Sequence, residues 1–193
     1  MPRLPDHLRL PATRRFQTAI ATAVGRTTPG LQRAFDDLDD YNEDAVAILT
    51  RRAAPAITAI KTTAVRSALG YYTVLAGVRP PRVAIGDVST VPNLRAPFIS
   101  VWQALASGNS YTDALAAGRS RIEAVVSDFA VSSARQTGDV FVEKAGLHVA
   151  GWERIPDSGA CAWCEEVAAD TYSSAEAADF GHDRCQCTAA PAF

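Results

Sequence analysis

A mainly α-helical fold, with a body of long helices followed by a small β-rich, cysteine-bearing module at the C-terminus, follows from three features of the sequence. Apolar residues recur at helical spacing through most of the chain before residue 147. At Leu147 the pattern changes to strand-like alternation. All four cysteines, with one of the three histidines, fall between Gly159 and Cys187. A chain of 193 residues accommodates one compact domain, or a helical body with a small appendage. Three divisions are expected: an extended N-terminal arm over 1–12, a helical body over 13–146 and a Cys/His module over 147–193.

Three prolines among the first eleven residues predict the extended arm, weakly basic through Arg3 and Arg9, with Arg14 and Arg15 just beyond. "TRRFQTAIATAV" then reads as a short helix with Thr13 as its N-cap. The acid-rich stretch "DDLDDYNED" (Asp36 to Asp44) lacks the glycine and closing glutamate of a calcium loop, and suits a helix N-terminus, where the macrodipole favours negative charge. From Asn42 to Gly77, Val46, Leu49, Ala53, Ile57, Ile60, Ala64, Ala68, Tyr72 and Leu75 mark one helical face. That helix is expected whole, or broken near Pro55, because proline removes a backbone donor and crowds the preceding turn. "GVRPPRVAIGDVSTVPN" predicts a loop with one short strand at Val83–Ile85. "APFISVWQALASG" predicts a helix ending at Gly108 with Trp102 in the core. The stretch from Ser110 to Gly146 predicts a long helix or helix pair, capped by Ser110 and stopped by Gly146. "LHVAGWERIP" alternates as a strand does, with Val149 opposite Trp152 and Ile155, and a second strand is expected around Thr171–Tyr172.

Composition excludes several functions. With 48% apolar and 21% charged residues and a formal net charge of −2, the chain as a whole attracts neither nucleic acid nor a membrane surface. No apolar run is long enough to span a membrane, and "MPRLPDHLRLPATRRF" places proline and charge where a secretory signal has its apolar core. Folding in a cytoplasm is therefore expected, and clustered cysteines in a reducing compartment are more often metal ligands than bridges.

Cys161 and Cys164 have the spacing of a zinc knuckle, in which a tight turn aims two thiolates at one ion. Twenty residues separate Cys164 from Cys185, at the upper end of the spacing of paired-cysteine zinc sites. His182, Cys185 and Cys187 then offer three donors where two suffice. Four of the five residues Cys161, Cys164, His182, Cys185 and Cys187 are expected to bind a structural zinc. Cys161 and Cys164 are the firmest, Cys185 is favoured, and the fourth place is open between His182 and Cys187. A segment under fifty residues buries little core, whereas zinc contributes roughly 10–16 kcal/mol of apparent folding free energy in finger peptides. Two disulfides, formed in an oxidising setting, are the competing reading.

Enzyme signatures are missing. There is no P-loop, no GxSxG elbow and no paired-carboxylate site. A zinc deaminase needs H-x-E before P-C-x-x-C, but Val149 and Ala150 follow His148, and Ala160 precedes Cys161. The expectation is that the protein is not an enzyme.

The order of the C-terminal features, "GWERIPDSGACAWCEEVAADTY" and then "HDRCQCTAAPAF", closely resembles the C-terminal domain of MuF-like minor head proteins of tailed bacteriophages, in the version found in phages of actinobacteria. Trp152, Arg154, Cys161, Cys164, Tyr172, His182, Cys185, Cys187 and Pro191 match that pattern over Gly146–Phe193, and the helical body is loosely consistent with it. Two departures are the stretch "EEVAAD", where the family has a bulkier apolar run ending in glycine, and Ala189–Ala190 before Pro191, where a β-branched residue is common. The resemblance implies a structural minor capsid or head-morphogenesis protein, assembled in the host cytoplasm and located in the virion. It would bind the portal or the major capsid protein on the inner face at few but multiple copies per particle. Some relatives carry a protease or toxin domain, and this chain would be the bare structural form. The alternative is a zinc-module protein that contacts packaged DNA inside the phage head. The module carries Glu165, Glu166, Asp170, Glu176, Asp179 and Asp183 against Arg154 and Arg184, so only weak DNA contact, through the N-terminal arm, is expected.

Overall fold

The structure, a computed structural model, describes residues 6–36, 41–90, 93–168, 170–175 and 187–192. Four long helices, α1 (Asp6–Arg33), α2 (Glu43–Ala76), α3 (Arg95–Ala106) and α4 (Tyr111–Lys144), precede β1 (Gly151–Ile155), a short helix α5 (Ala162–Val167), β2 (Thr171–Tyr172) and β3 (Thr188–Ala192). The mainly helical fold with a small C-terminal sheet is the one the sequence predicts.

Helix ends follow local chemistry. The Asn42 side chain accepts from the Ala45 amide at 3.0 Å to start α2, and Gly77, at φ +62°, closes it with a bond to the Thr73 carbonyl. Ser110 accepts from the Asp113 amide to start α4, and Gly146 at φ +62° follows its end. Helix α2 runs unbroken through Pro55. The ring sits on the exposed side, between the buried Ala53 and Ile57, so water can satisfy the carbonyl that proline orphans while the apolar stripe stays in register.

Several expectations are corrected. The expected arm is helical from Asp6 onward, with Pro11 inside α1. Tertiary contacts outweigh the local cost of that proline. Arg9 is buried in an ion pair with Glu153 of β1, Ala12 is buried, and Phe16 stacks on Tyr71 at 4.7 Å. Thr13 is therefore no N-cap. It lies within the helix, donates to the Arg9 carbonyl and shares a 3.0 Å hydrogen bond with Tyr71. In place of a strand at Val83–Ile85 there is a 3-10 turn over Ile85–Asp87, where the Asp87 carboxylate accepts from the Ala84 amide. Trp102 is 40% exposed, because the buried stripe of α3 is Pro97, Phe98 and Val101. The strand after Leu147 begins only at Gly151, and Arg154 rather than Ile155 shares the buried face with Trp152. Within the acid-rich stretch, Asp36 pairs with Arg119 and Glu43 and Asp44 begin α2, while residues 37–40 lie outside the described residues.

α1, α2 and α4 pack on one another and α3 lies against α2 and α4. The sheet has order β2-β1-β3, antiparallel throughout, with Trp152 opposite both Tyr172 and Pro191, and Arg154 opposite Ala189. β3 rests on α4 and α2. Trp152, Ala175, Ala189 and Ala190 belong to the same apolar core as the helices. Gly138 of α4 makes this close approach workable, since a Cβ there would stand 2.7 Å from the Tyr72 ring and 2.9 Å from that of Trp152.

Candidate functional site

The module is built around β1. Its alternation sends Trp152 and Arg154 inward, each 2% exposed. Trp152 meets Tyr72 edge-on, with ring centroids 5.8 Å apart. On the far side of the strand, Glu153 receives Arg9, and Gln17 of α1 donates to the Ile155 carbonyl at 3.3 Å. These contacts fix the base from which the cysteine-bearing segments extend.

Cys161 is the N-cap of α5 and is exposed, and Cys164, one turn on, is 1% exposed. Cys187 immediately precedes β3 and is also 1% exposed. The fold brings Cys164 and Cys187 into one small cluster with Ala160, apart from the main core. Two buried arginines serve this cluster. Arg154 donates through Nη2 to the Cys164 Sγ at 3.5 Å, and its guanidinium lies 5.5 Å from the Trp163 ring centroid. Arg135 of α4 donates to the Cys187 carbonyl at 2.6 Å. Tyr172 closes the segment by donating to the Val167 carbonyl at 2.7 Å, and Asp139 of α4 accepts from the Ala175 amide.

Of the five candidate residues from which four ligands are expected, the structure brings Cys164 and Cys187 into one cluster and sets Cys161 one helical turn from Cys164. His182 and Cys185 lie outside the described residues. Among the described residues, no group of three or more His, Cys, Asp and Glu side chains is gathered closely enough to hold an ion. Cys164 and Cys187 nevertheless have the right chemistry, soft sulfur buried from water, and a guanidinium donating to the Cys164 sulfur offsets the negative charge a thiolate ligand carries. Arg135 was not picked out from the sequence. Its signal is an arginine on the buried stripe of a helix, flanked by the small residues Ser133, Ala134, Thr137 and Gly138.

Beneath the sheet lie two tyrosines whose hydroxyls burial keeps protonated. Tyr71 is raised to about 12, with burial the main cause and its bond to Thr13 and the Arg9 charge opposing it. Tyr72 is pushed well above the ordinary phenol value, again mainly by burial, and donates to the Ala189 carbonyl.

The larger concavities are elsewhere. A cleft of about 830 Å³ between α1 and the turn after β1 is lined by Leu10, Arg14, Gln17, Ile155 and Asp157 among others. Another, of about 680 Å³, lies between α2 and the 80–87 loop. Among the described residues, neither brings a histidine or cysteine to its wall.

The model of the VG15 protein family matches residues 9–193, which takes in the helices and the sheet together. The chain belongs to the VG15 protein family. VG15 proteins are phage gene products, so this is a phage protein. Neither the curated proteins nor the solved structures contain a significant match. Among the described residues, no helix of this VG15 protein is long and apolar enough to cross a membrane.

Proposed function

We propose that this phage protein is a structural minor capsid, or head-morphogenesis, component that binds the portal or the inner capsid surface at low copy number, with its C-terminal module held by zinc. The observation that carries the reading is how the MuF-like pattern residues are used. Trp152, Arg154, Cys164, Cys187 and Pro191 are all buried at or beside one sheet, where Trp152 joins the core of the helices while Cys164 and Cys187 form a small cluster of the module's own. Residues used in this way build a rigid surface for protein contact, and none of them lines the larger clefts. The test is the ratio of this protein to portal subunits in purified particles, counted by quantitative mass spectrometry. A fixed, small ratio is expected, and absence from particles would overturn the assignment.

Zinc is supported by the paired Cys164 and Cys187, by Cys161 one turn from Cys164, and by the arginine that donates to the buried sulfur. Bound there, it would cross-link α5 to the lead-in of β3 and replace the core a short segment lacks. Protein purified under reducing conditions should contain about one zinc per chain, as expected for a single tetrahedral site, and Cys164→Ser should lose it. Metal-free protein, with two disulfides in mature particles, would reject the zinc.

A further inference from the structure

The net charge of −2 conceals a strong segregation. Residues 7–35 hold five arginines and residues 45–86 six basic side chains, yet neither stretch contains a single Asp or Glu out of the chain's 21. These stretches form α1, α2 and the loop that follows, and the two helices pack side by side. Between them runs a shallow groove of about 370 Å³, where Ala19, Thr22 and Arg26 of α1 face Ala59 and Thr63 of α2.

Helical spacing extends both walls of that groove. Arg15 and Arg33 lie seven residues from Thr22 and Arg26 respectively, close to two full turns, so all four share one stripe of α1. Arg52 and Arg66 flank Ala59 by the same interval on α2. Phe16 stacks on Tyr71 at one end while Arg26 and Ala59 meet near the middle, so the helices run antiparallel. Arg15 therefore stands towards Arg66, and Arg33 towards Arg52. All five arginines are exposed, and no carboxylate of the described residues pairs with Arg15, Arg26, Arg33 or Arg66. In sequence, the acid-rich stretch from Asp36 to Asp44 begins only after Arg33.

We propose that this groove binds the phosphate backbone of duplex DNA without regard to base sequence. From Arg15 to Arg33 the ridge runs about 27 Å at 1.5 Å per residue, the length of roughly eight base pairs at 3.4 Å each. The exposed residues between the arginines are Thr, Ala, Gly and Pro, with no exposed Leu, Ile, Val or aromatic from Arg15 to Arg33 or from Arg52 to Arg66. A protein partner needs a buried apolar or aromatic anchor, which this face does not offer. Exposed hydroxyls and guanidinium groups along one ridge suit phosphates.

The test uses the purified 193-residue chain, so its outcome is independent of the particle count above. Fluorescence anisotropy with two 20-base-pair duplexes of unrelated sequence is followed as salt is raised. Equal affinity for both is expected, with log K falling against log salt at a slope of about −3 to −4, as four phosphate contacts give. The variant Arg15→Ser/Arg26→Ser/Arg33→Ser/Arg66→Ser should keep the helical circular dichroism, bind at least about ten-fold more weakly at low salt and lose most of that slope. Arg121→Ser, exposed on α4, should bind as wild type. Absence of binding at low salt, or equal binding by the quadruple variant, overturns the proposal. So does self-association that only the quadruple variant loses, which would make the acidic module of a second copy the occupant.

Discussion

The helical body and the C-terminal sheet are stabilised by different means, although they share one apolar core. The body buries long stripes of medium and large side chains, such as Val46, Leu49, Ile57 and Ile60 on α2 or Ile122, Val126, Phe129 and Phe141 on α4. The sheet contributes two large fully buried side chains, Trp152 and Arg154, and otherwise mostly alanines. Its remaining attachments are polar and individually placed: Arg9 on Glu153, Arg135 on the Cys187 carbonyl, Tyr72 on the Ala189 carbonyl. A helix that buries one apolar side chain per turn tolerates the loss of any one of them. A small sheet fastened at a few points does not.

The joint at Trp152 is where that contrast breaks most easily. Trp152→Ala removes the edge-on contact with Tyr72 and leaves a cavity against Gly138, at a cost of about 3–5 kcal/mol. Amide exchange should accelerate sharply over Gly151–Ile155 and Thr188–Ala192 while α2 keeps its protection. Gly138→Ala tests the joint from the other side. Its methyl would press on both rings and cost about 1–3 kcal/mol through overpacking. If α2 and the sheet lost protection equally in both variants, the two regions would be one cooperative unit and the contrast would fail.

Much of this was legible in the sequence because helices announce themselves locally. Asn42, Ser110, Gly77 and Gly146 mark real helix boundaries, and the apolar stripe of α2 was readable through Pro55. The failures share one cause, which is contact between distant segments. Nothing near Pro11 indicates that Glu153 and Tyr71 will hold its helix together, and nothing near Trp102 shows that α3 turns Phe98 and Val101 inward instead. In the module, the CxxC spacing marked Cys161 and Cys164. The pairing of Cys164 with Cys187, and the service of both by Arg154 and Arg135, needed the register of β1 with β3. Charge segregation along α1 and α2 was present in the order of residues but hidden by the net charge.

Alkaline pH sharpens the contrast from beneath the sheet. Tyr71 keeps its proton to about 12 in the folded protein, whereas an unfolded tyrosine releases it near 10. Its folded value is raised, so the associated stability is fully present below pH about 10 and is lost as pH rises towards 12. On the order of 2–3 kcal/mol is at stake, at about 1.4 kcal/mol per pH unit. Denaturant midpoints measured at rising pH should fall over that window, and Tyr71→Phe should flatten the fall by its own share. An unchanged pH profile in that variant would place the sensitivity elsewhere.

The smallest expected effect lies on the body, away from the sheet. Asp87 accepts from Lys144 Nζ at 2.6 Å and from the Ala84 amide, and these bonds hold its carboxyl below the usual range. With a depressed folded value, its contribution is present above the ordinary carboxylate range and disappears as pH falls through the folded pKa. The group is exposed, so Asp87→Asn should barely move the melting temperature while amide exchange quickens at Asp87 and Val88. Lys144 is the last residue of α4, seven positions before β1 begins. If the same variant also loosened Gly151–Ile155, the end of α4 would be transmitting the state of the loop to the sheet, and the sheet's stability would depend on the body's surface as well as on its core. Exchange confined to the loop would instead leave the core contact of Trp152 and the polar bonds of Arg9, Arg135 and Tyr72 as the fastenings on which the sheet depends.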